Sequence, residues 1–211
     1  MNVKPMVKQP DKTRKSILEA AFWEIYRNGF QTASIDRILD GTGLTKGALY
    51  YHFPNKLELG YAVVDEVIRP WLLDTWLQAL DNTDDPVDGI RQAVVGGIEC
   101  HPEEMMLGGC PLFNLTQEMS NVDEGFRSRL EGVLNDWRNG IAGHLANGQA
   151  RGLVRTDLDP EATAAFLVAS FEGIAGTAKG LKDREFAEKL LQTFLTLVET
   201  LRPVPQPGQM A

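Results

Sequence analysis

Two cysteines in 211 residues are too few for a disulfide framework, so nothing in this chain requires an oxidising compartment. A continuous apolar run of about 18 residues, the least that spans a bilayer as a helix, is also missing. The opening MNVKPMVKQPDK lacks the apolar stretch of a secretory signal, and the expected location is therefore the cytoplasm. Histidine occurs only at His52, His101 and His144. There is no GxSxG, phosphate loop or HExxH segment, and the carboxylate pairs Asp84-Asp85 and Glu103-Glu104 read as solvated turn charges. An enzyme is not expected, and a helical enzyme or binding protein using the C-terminal half is the alternative. Alternating apolar runs are absent as well, which leaves an all-α fold.

What the chain does contain is unevenly placed. Residues 1–57 hold nine Lys and Arg against five Asp and Glu, a net of +4, while residues 58–211 hold twelve against twenty-four, a net of −12. An acidic protein is a poor polyanion binder as a whole, but a basic end can meet phosphate while the acidic remainder orients it. Apolar residues make up 43% of the chain, enough to build a packed core.

The segment TASIDRILDGTGLTKGALYYHFPNK, residues 32–56, carries most of the functional information. Ser34 suits the cap of a helix with Ile35, Ile38 and Leu39 on one face, and Gly41 and Gly43 end it. Thr45 caps a second helix, which Leu44 and Leu49 pack against the first. That spacing fits a helix-turn-helix whose second helix enters the major groove of DNA. Lys46, Gly47, Ala48, Tyr50 and His52 then point outward, the cations toward phosphate and the small residues allowing close approach to base edges. Asn55 caps a further helix, with Lys56 in its first turn, where a phosphate is also favoured.

From Thr13 to about Tyr61 the chain resembles the DNA-binding domain of the TetR family of bacterial transcriptional regulators, through ILEAAFWEIYRNGF, TGLTKGALYYHF and FPNK. The resemblance implies that Ser34, Thr45, Lys46, Gly47, Ala48, Tyr50, Tyr51, His52 and Lys56 face DNA, and that Ile38, Leu39, Leu49 and Phe53 form a three-helix core. Asp40-Gly41-Thr42-Gly43 departs from the family's usual alanines before one glycine and should end the second helix early. The implied function is a ligand-responsive regulator, expected to be a repressor, that binds a palindromic operator as a homodimer. No cofactor and no resident metal are expected.

The organisation follows as a helix-turn-helix domain over 1–57, a helical effector-binding and dimerisation domain over 58–202 and a disordered tail over 203–211. Helices are expected over 11–27, from 55 to about 80, over 86–100, 111–119, 123–151, 160–179 and from 183 or 184 to about 201. Pro70 inside the second of these marks either a kink or a boundary. Asp159-Pro160 is a cap followed by proline at the first helical position.

For dimerisation, small residues on the penultimate helix and apolar ones on the last suggest a twofold four-helix bundle, with Phe166, Ala169, Gly173, Gly176, Phe194 and Leu197 at the interface. An intrachain hairpin is the alternative. Candidate pocket walls are Trp71, Trp76, Met105, Met106, Leu112, Phe113, Trp137, Phe166 and Phe171, a set suited to an apolar or aromatic small molecule. The candidate effector contacts are Trp71, Met106, Cys110, Phe113, Asn114, Trp137 and Phe171, with Gln117 and Glu118 as further polar contacts. Cys110 lies at a helix start, where the dipole is expected to lower its pKa, so a redox or electrophile sensor is a second reading. Cys100, His101, Glu103, Glu104 and Cys110 form a metal candidate without a zinc signature's spacing.

Overall fold

The computed structural model describes residues 10–99, 105 and 107–204. Met106, the metal candidates Cys100, His101, Glu103 and Glu104, and the tail from residue 205 onward lie outside the described residues. Those described form helices and no strand, as the all-α reading requires. The helices are α1 Pro10–Asn28, α2 Ile35–Leu39, α3 Lys46–His52, α4 Lys56–Val63, α5 Arg69–Asp81, α6 Pro86–Glu99, α7 Pro111–Met119, α8 Glu124–Ala150, α9 Pro160–Leu181 and α10 Arg184–Glu199.

The stops and starts follow from the residues at them. α1 ends because Gly29 takes φ +79, a left-handed geometry without penalty for glycine, and its N–H closes onto the Ile25 carbonyl at 2.8 Å. α2 ends at Leu39 because Gly41 and Gly43 turn the chain at φ +73 and +68, the early end expected from their spacing. Asp159 caps α9 through the N–H groups of Glu161 and Ala162, with Pro160 at the first position. Asp183 caps α10 through Phe186 N–H.

Pro70 neither breaks nor sharply separates the long helix. Val64–Ile68 form a π turn between α4 and α5, and Arg69 N–H reaches back to the Val64 carbonyl. Proline has no N–H and its ring presses on the carbonyl four residues earlier, so a wider turn just ahead of it relieves both problems. The sequence shows the proline but not which relief the chain adopts.

Two compact units are formed, Met1–Arg69 with Asn114–Leu130, and Pro70–Phe113 with Glu131–Ala211. In the first, Ile17, Ala21, Ile38, Leu49, Phe53, Leu59, Val63 and Phe126 are buried. Gly60 lets α4 approach this core, since a Cβ there would fall 2.7 Å from Phe126 Cζ and closer still to the Phe30 ring. Those two rings meet edge to face with centroids 4.6 Å apart. In the second unit the core is aromatic at its centre. Trp76 stands 5.0 Å from both Trp137 and Phe171, and Phe171 is 6.3 Å from Phe194. α9 and α10 pack along each other, turning at Lys182, the one non-glycine among the described residues with positive φ, at +54.

Candidate functional site

The helix-turn-helix is assembled from local caps. Ser34 Oγ accepts from Arg37 N–H at 3.2 Å, Thr45 Oγ1 from Ala48 N–H at 3.2 Å, and Asn55 Oδ1 from Glu58 N–H at 2.9 Å. Each cap satisfies an N–H that the helix start would otherwise leave open. Leu49, fully buried, and Phe53 anchor α3 on its inner side, and the Arg14 guanidinium lies over the Phe53 ring at 4.9 Å.

The opposite side of α3 faces outward. Tyr51 is 80% exposed and Tyr50 47%, and Lys46 and Gly47 are exposed with them. Beyond Gly47 a Cβ would meet only Thr45 Oγ1, at 3.8 Å, so the helix surface there is open to close approach. His52 is half-buried, its ring edge-on to Tyr51 at 5.1 Å, and Ala48 is partly exposed. Lys46 pairs with Asp36 of α2 at 2.7 Å, and the hydrogen bond to that carboxylate raises its pKa.

Lys56 is held inside its own unit. Its Nζ donates to the Gln31 carbonyl at 3.1 Å and stands 4.7 Å from the Phe30 ring centroid. Burial lowers its pKa, opposed by the nearby Glu118 carboxylate. Glu118 was expected among the effector contacts. Instead it accepts from the N–H groups of Phe30 and Gln31 at 2.9 and 2.8 Å, fixing the turn between α1 and α2. No local signal announces this, since Glu118 is 88 residues away in sequence from Phe30. Nearby, Tyr61 donates to Asp123 at 2.6 Å, and that bond holds the tyrosine pKa up at about 12.

The second unit contains an apolar cavity of about 120 Å³. Of the candidates, Trp71, Trp76, Met105, Cys110 and Phe171 line it, joined by Thr75 of α5. Trp137 does not reach it. That ring is fully buried behind Trp76 and Phe171, and its Nε1 has no hydrogen-bond partner. Leu112, Phe113 and Asn114 do not line it either, because of α7 only its first residue, Pro111, reaches the space, next to Cys110 just before the helix, and Phe166 is exposed on α9.

Cys110 does not have the environment of an activated thiolate. The N–H groups of Leu112 and Phe113 pull its pKa down, as the helix start should, but burial and the facing Glu172 carboxyl outweigh them and push it well up. Among the described residues it is a free, buried thiol. Glu172, on α9, is 2% exposed. Neither of its oxygens has a strong donor in reach, the Cys110 thiol being its polar neighbour. Desolvation lifts its pKa to about 7.

A third surface lies on α9 and α10. Phe166, Ala169, Gly173 and Gly176 are exposed at alternating spacings of three and four, and a Cβ added at either glycine would meet nothing. Phe186 and Leu197 on α10 are 40% and 55% exposed. Phe194, expected with them, is instead 4% exposed and packs inward on Phe171. On an amphipathic helix it falls on the core side, which the apolar count of α10 does not reveal.

These features agree with comparisons to known proteins. Residues 17–63 match the family model for bacterial regulatory proteins of the tetR family. Residues 86–194, just over half the chain, match the tetracyclin repressor-like C-terminal domain. An uncharacterized HTH-type transcriptional regulator of Lactococcus lactis is 33% identical over 134 residues, covering 64% of this chain and 68% of that protein. The HTH-type transcriptional repressor DhaR of Mycobacterium sp. is 26% identical over 191 residues, covering 90% and 92%. A TetR transcriptional regulator from Chloroflexus aurantiacus superposes with a TM-score of 0.79 at 26% identity, covering 92% of this chain and 97% of that one. The chain belongs to the TetR family of helix-turn-helix, DNA-binding transcriptional regulators.

Proposed function

We propose that the protein is a cytoplasmic homodimeric repressor that binds a palindromic operator and leaves it when a small apolar or aromatic molecule occupies the cavity. Residues 1–57 read the DNA, with Ser34, Thr45, Lys46, Gly47, Ala48, Tyr50, Tyr51, His52 and Lys56 facing it. Residues 58–202 bind the effector and form the dimer. The observation that carries the DNA half is α3, anchored by the buried Leu49 and presenting Lys46, Tyr50 and Tyr51 outward. Repression is supported by the full-length relative named a repressor. The dimer is supported by the exposed stripe from Phe166 to Gly176 beside Leu197, which closes on its own copy about a twofold axis. The role is binding rather than turnover, in keeping with relatives that are regulators.

Two recognition helices related by a twofold axis read an inverted repeat, and a ligand that binds one arrangement better than the other shifts operator affinity by its difference in binding free energy. A tenfold loss of affinity needs about 1.4 kcal/mol of such coupling. Fluorescence anisotropy on DNA upstream of the protein's own coding region, against scrambled competitor at fixed salt, tests the reading. Two chains bound to one inverted repeat are expected. Equal affinity for scrambled DNA, upheld by a random-sequence selection that finds no preferred site, would remove it.

A further inference from the structure

The cavity walls are aromatic and aliphatic, and among the described residues no Lys, Arg or His lines them. Beside them lies one carboxyl group without a strong hydrogen-bond donor, Glu172, 98% removed from solvent. Buried polar atoms are normally paired, and one that is not requires an explanation. Here the position supplies it. Phe171, Ile174 and Ala175 on the same helix line the cavity, and so does Cys110, whose thiol faces the Glu172 carboxyl. Glu172 does not itself line the space: its carboxyl lies directly behind the Cys110 side chain, so that a turn of that one side chain would open it to the cavity, and no cation of the described protein balances it.

We propose that the effector is a small aromatic or alkyl amine whose protonated nitrogen pairs with the Glu172 carboxylate beside Cys110, its apolar body lying among Trp71, Trp76 and Phe171. The inference rests on the cavity being the effector site. A cation on an apolar stem matches both halves of the environment. Its charge supplies the strong partner that Glu172 lacks, and its apolar body suits the aromatic walls. The volume, about 120 Å³, limits the body to about the size of one benzene ring, since an apolar protein cavity of about 150 Å³ holds benzene. A carboxyl that ionises near neutrality becomes anionic when such a partner arrives, and the amine is already protonated at that pH.

The test is calorimetric titration of the full chain, in mildly alkaline buffer, with benzylammonium, ethylbenzene and phenylacetate, three probes of similar size and different charge. Benzylammonium is expected to bind at least about tenfold more tightly than ethylbenzene, a difference of about 1.4 kcal/mol. Glu172→Gln should erase that preference and leave ethylbenzene unchanged, which a purely structural role for the carboxyl would not do. If the hydrocarbon binds as tightly as the amine, or phenylacetate binds best, the amine assignment is wrong while the cavity reading survives. If none of the three binds, the cavity reading fails and the amine assignment goes with it. The ranking on the unaltered protein decides the matter even if the variant does not fold.

Discussion

Around α3 the polar work is done by neighbours in sequence, whereas the cavity is built by residues scattered over five helices. Ser34, Thr45 and Asn55 each bond the residue three positions on, and the core beneath them, Leu49 and Phe53, lies within the same 20 residues. The cavity draws on α5, α6, α7, α9 and α10 and on Met105 before α7. The unit that holds α3 leaves no buried side-chain nitrogen or oxygen unpaired among the described residues, while the other unit leaves Trp137 Nε1 and both Glu172 oxygens. Polar groups close in sequence satisfy one another as the helices form, whereas those brought together by packing of distant helices are the ones left over.

The contrast breaks hardest at α3. Leu49→Ala removes a fully buried side chain from the centre of the small three-helix core, and is expected to cost about 2–5 kcal/mol. Urea denaturation followed by circular dichroism measures it, and operator binding should be lost with the fold. A loss well below 1 kcal/mol would mean that α3 is not held from within as described.

The other unit responds to the opposite operation, removing an ionisable charge. Glu172 has its pKa raised to about 7, above the value of about 4.3 for an unfolded glutamate. The folded state therefore favours the proton, and stability is lost as pH rises between these two values, with the full penalty present above about 7. A shift of that size is worth about 4 kcal/mol. Glu172→Gln should stabilise the protein by this order at about pH 8 and by nothing at about pH 4. Denaturation midpoints of both proteins across that range give the curve. Parallel curves would show that the carboxyl is solvated or paired.

How far the sequence reached follows the same division. The starts of α3, α4, α9 and α10 were legible because Thr45, Asn55, Asp159 and Asp183 each announce a helix start within four residues. The π turn ahead of Pro70 was not, because several local solutions suit one proline. Of the cavity residues, Trp71, Trp76, Met105, Cys110 and Phe171 are legible by being large and apolar or reactive, and Trp137 reads the same way although it lies in the core behind them. Glu172 gave no signal. A glutamate in a helix reads as a solvated charge, and only packing from Cys110 shows otherwise. The Phe194 assignment failed similarly, since an apolar residue on α10 can face the core or a second copy.

One contact joins segments distant in sequence within the DNA-facing unit and so tests how self-sufficient its local caps are. Glu118 accepts two N–H bonds from the turn that also presents the Gln31 carbonyl to Lys56. Glu118→Gln keeps one acceptor and loses the charge, and should cost about 1–2 kcal/mol, in the range of charge-assisted hydrogen bonds. Operator affinity should fall at the same time, as measured by anisotropy, because Lys56 loses the fixed turn on which it rests. Unchanged affinity would mean that the caps alone hold the recognition surface.

The smallest expected effect lies at Lys46, and it separates stability from recognition most cleanly. Its pairing with Asp36 joins two exposed side chains, and solvent screening leaves such a pair little net contribution to folding. Lys46→Ala should therefore leave the denaturation midpoint nearly unmoved. On DNA the same ammonium can exchange Asp36 for a phosphate, and its removal should make the dependence of log affinity on log salt shallower by about one per chain. Asp36→Asn sharpens the point in the other direction. It frees Lys46 and takes a negative charge away from the phosphates, so affinity should rise where Lys46→Ala makes it fall. If both variants weaken binding equally, the pair acts by holding α2 to α3, and Lys46 belongs to the scaffold rather than to the DNA-facing surface.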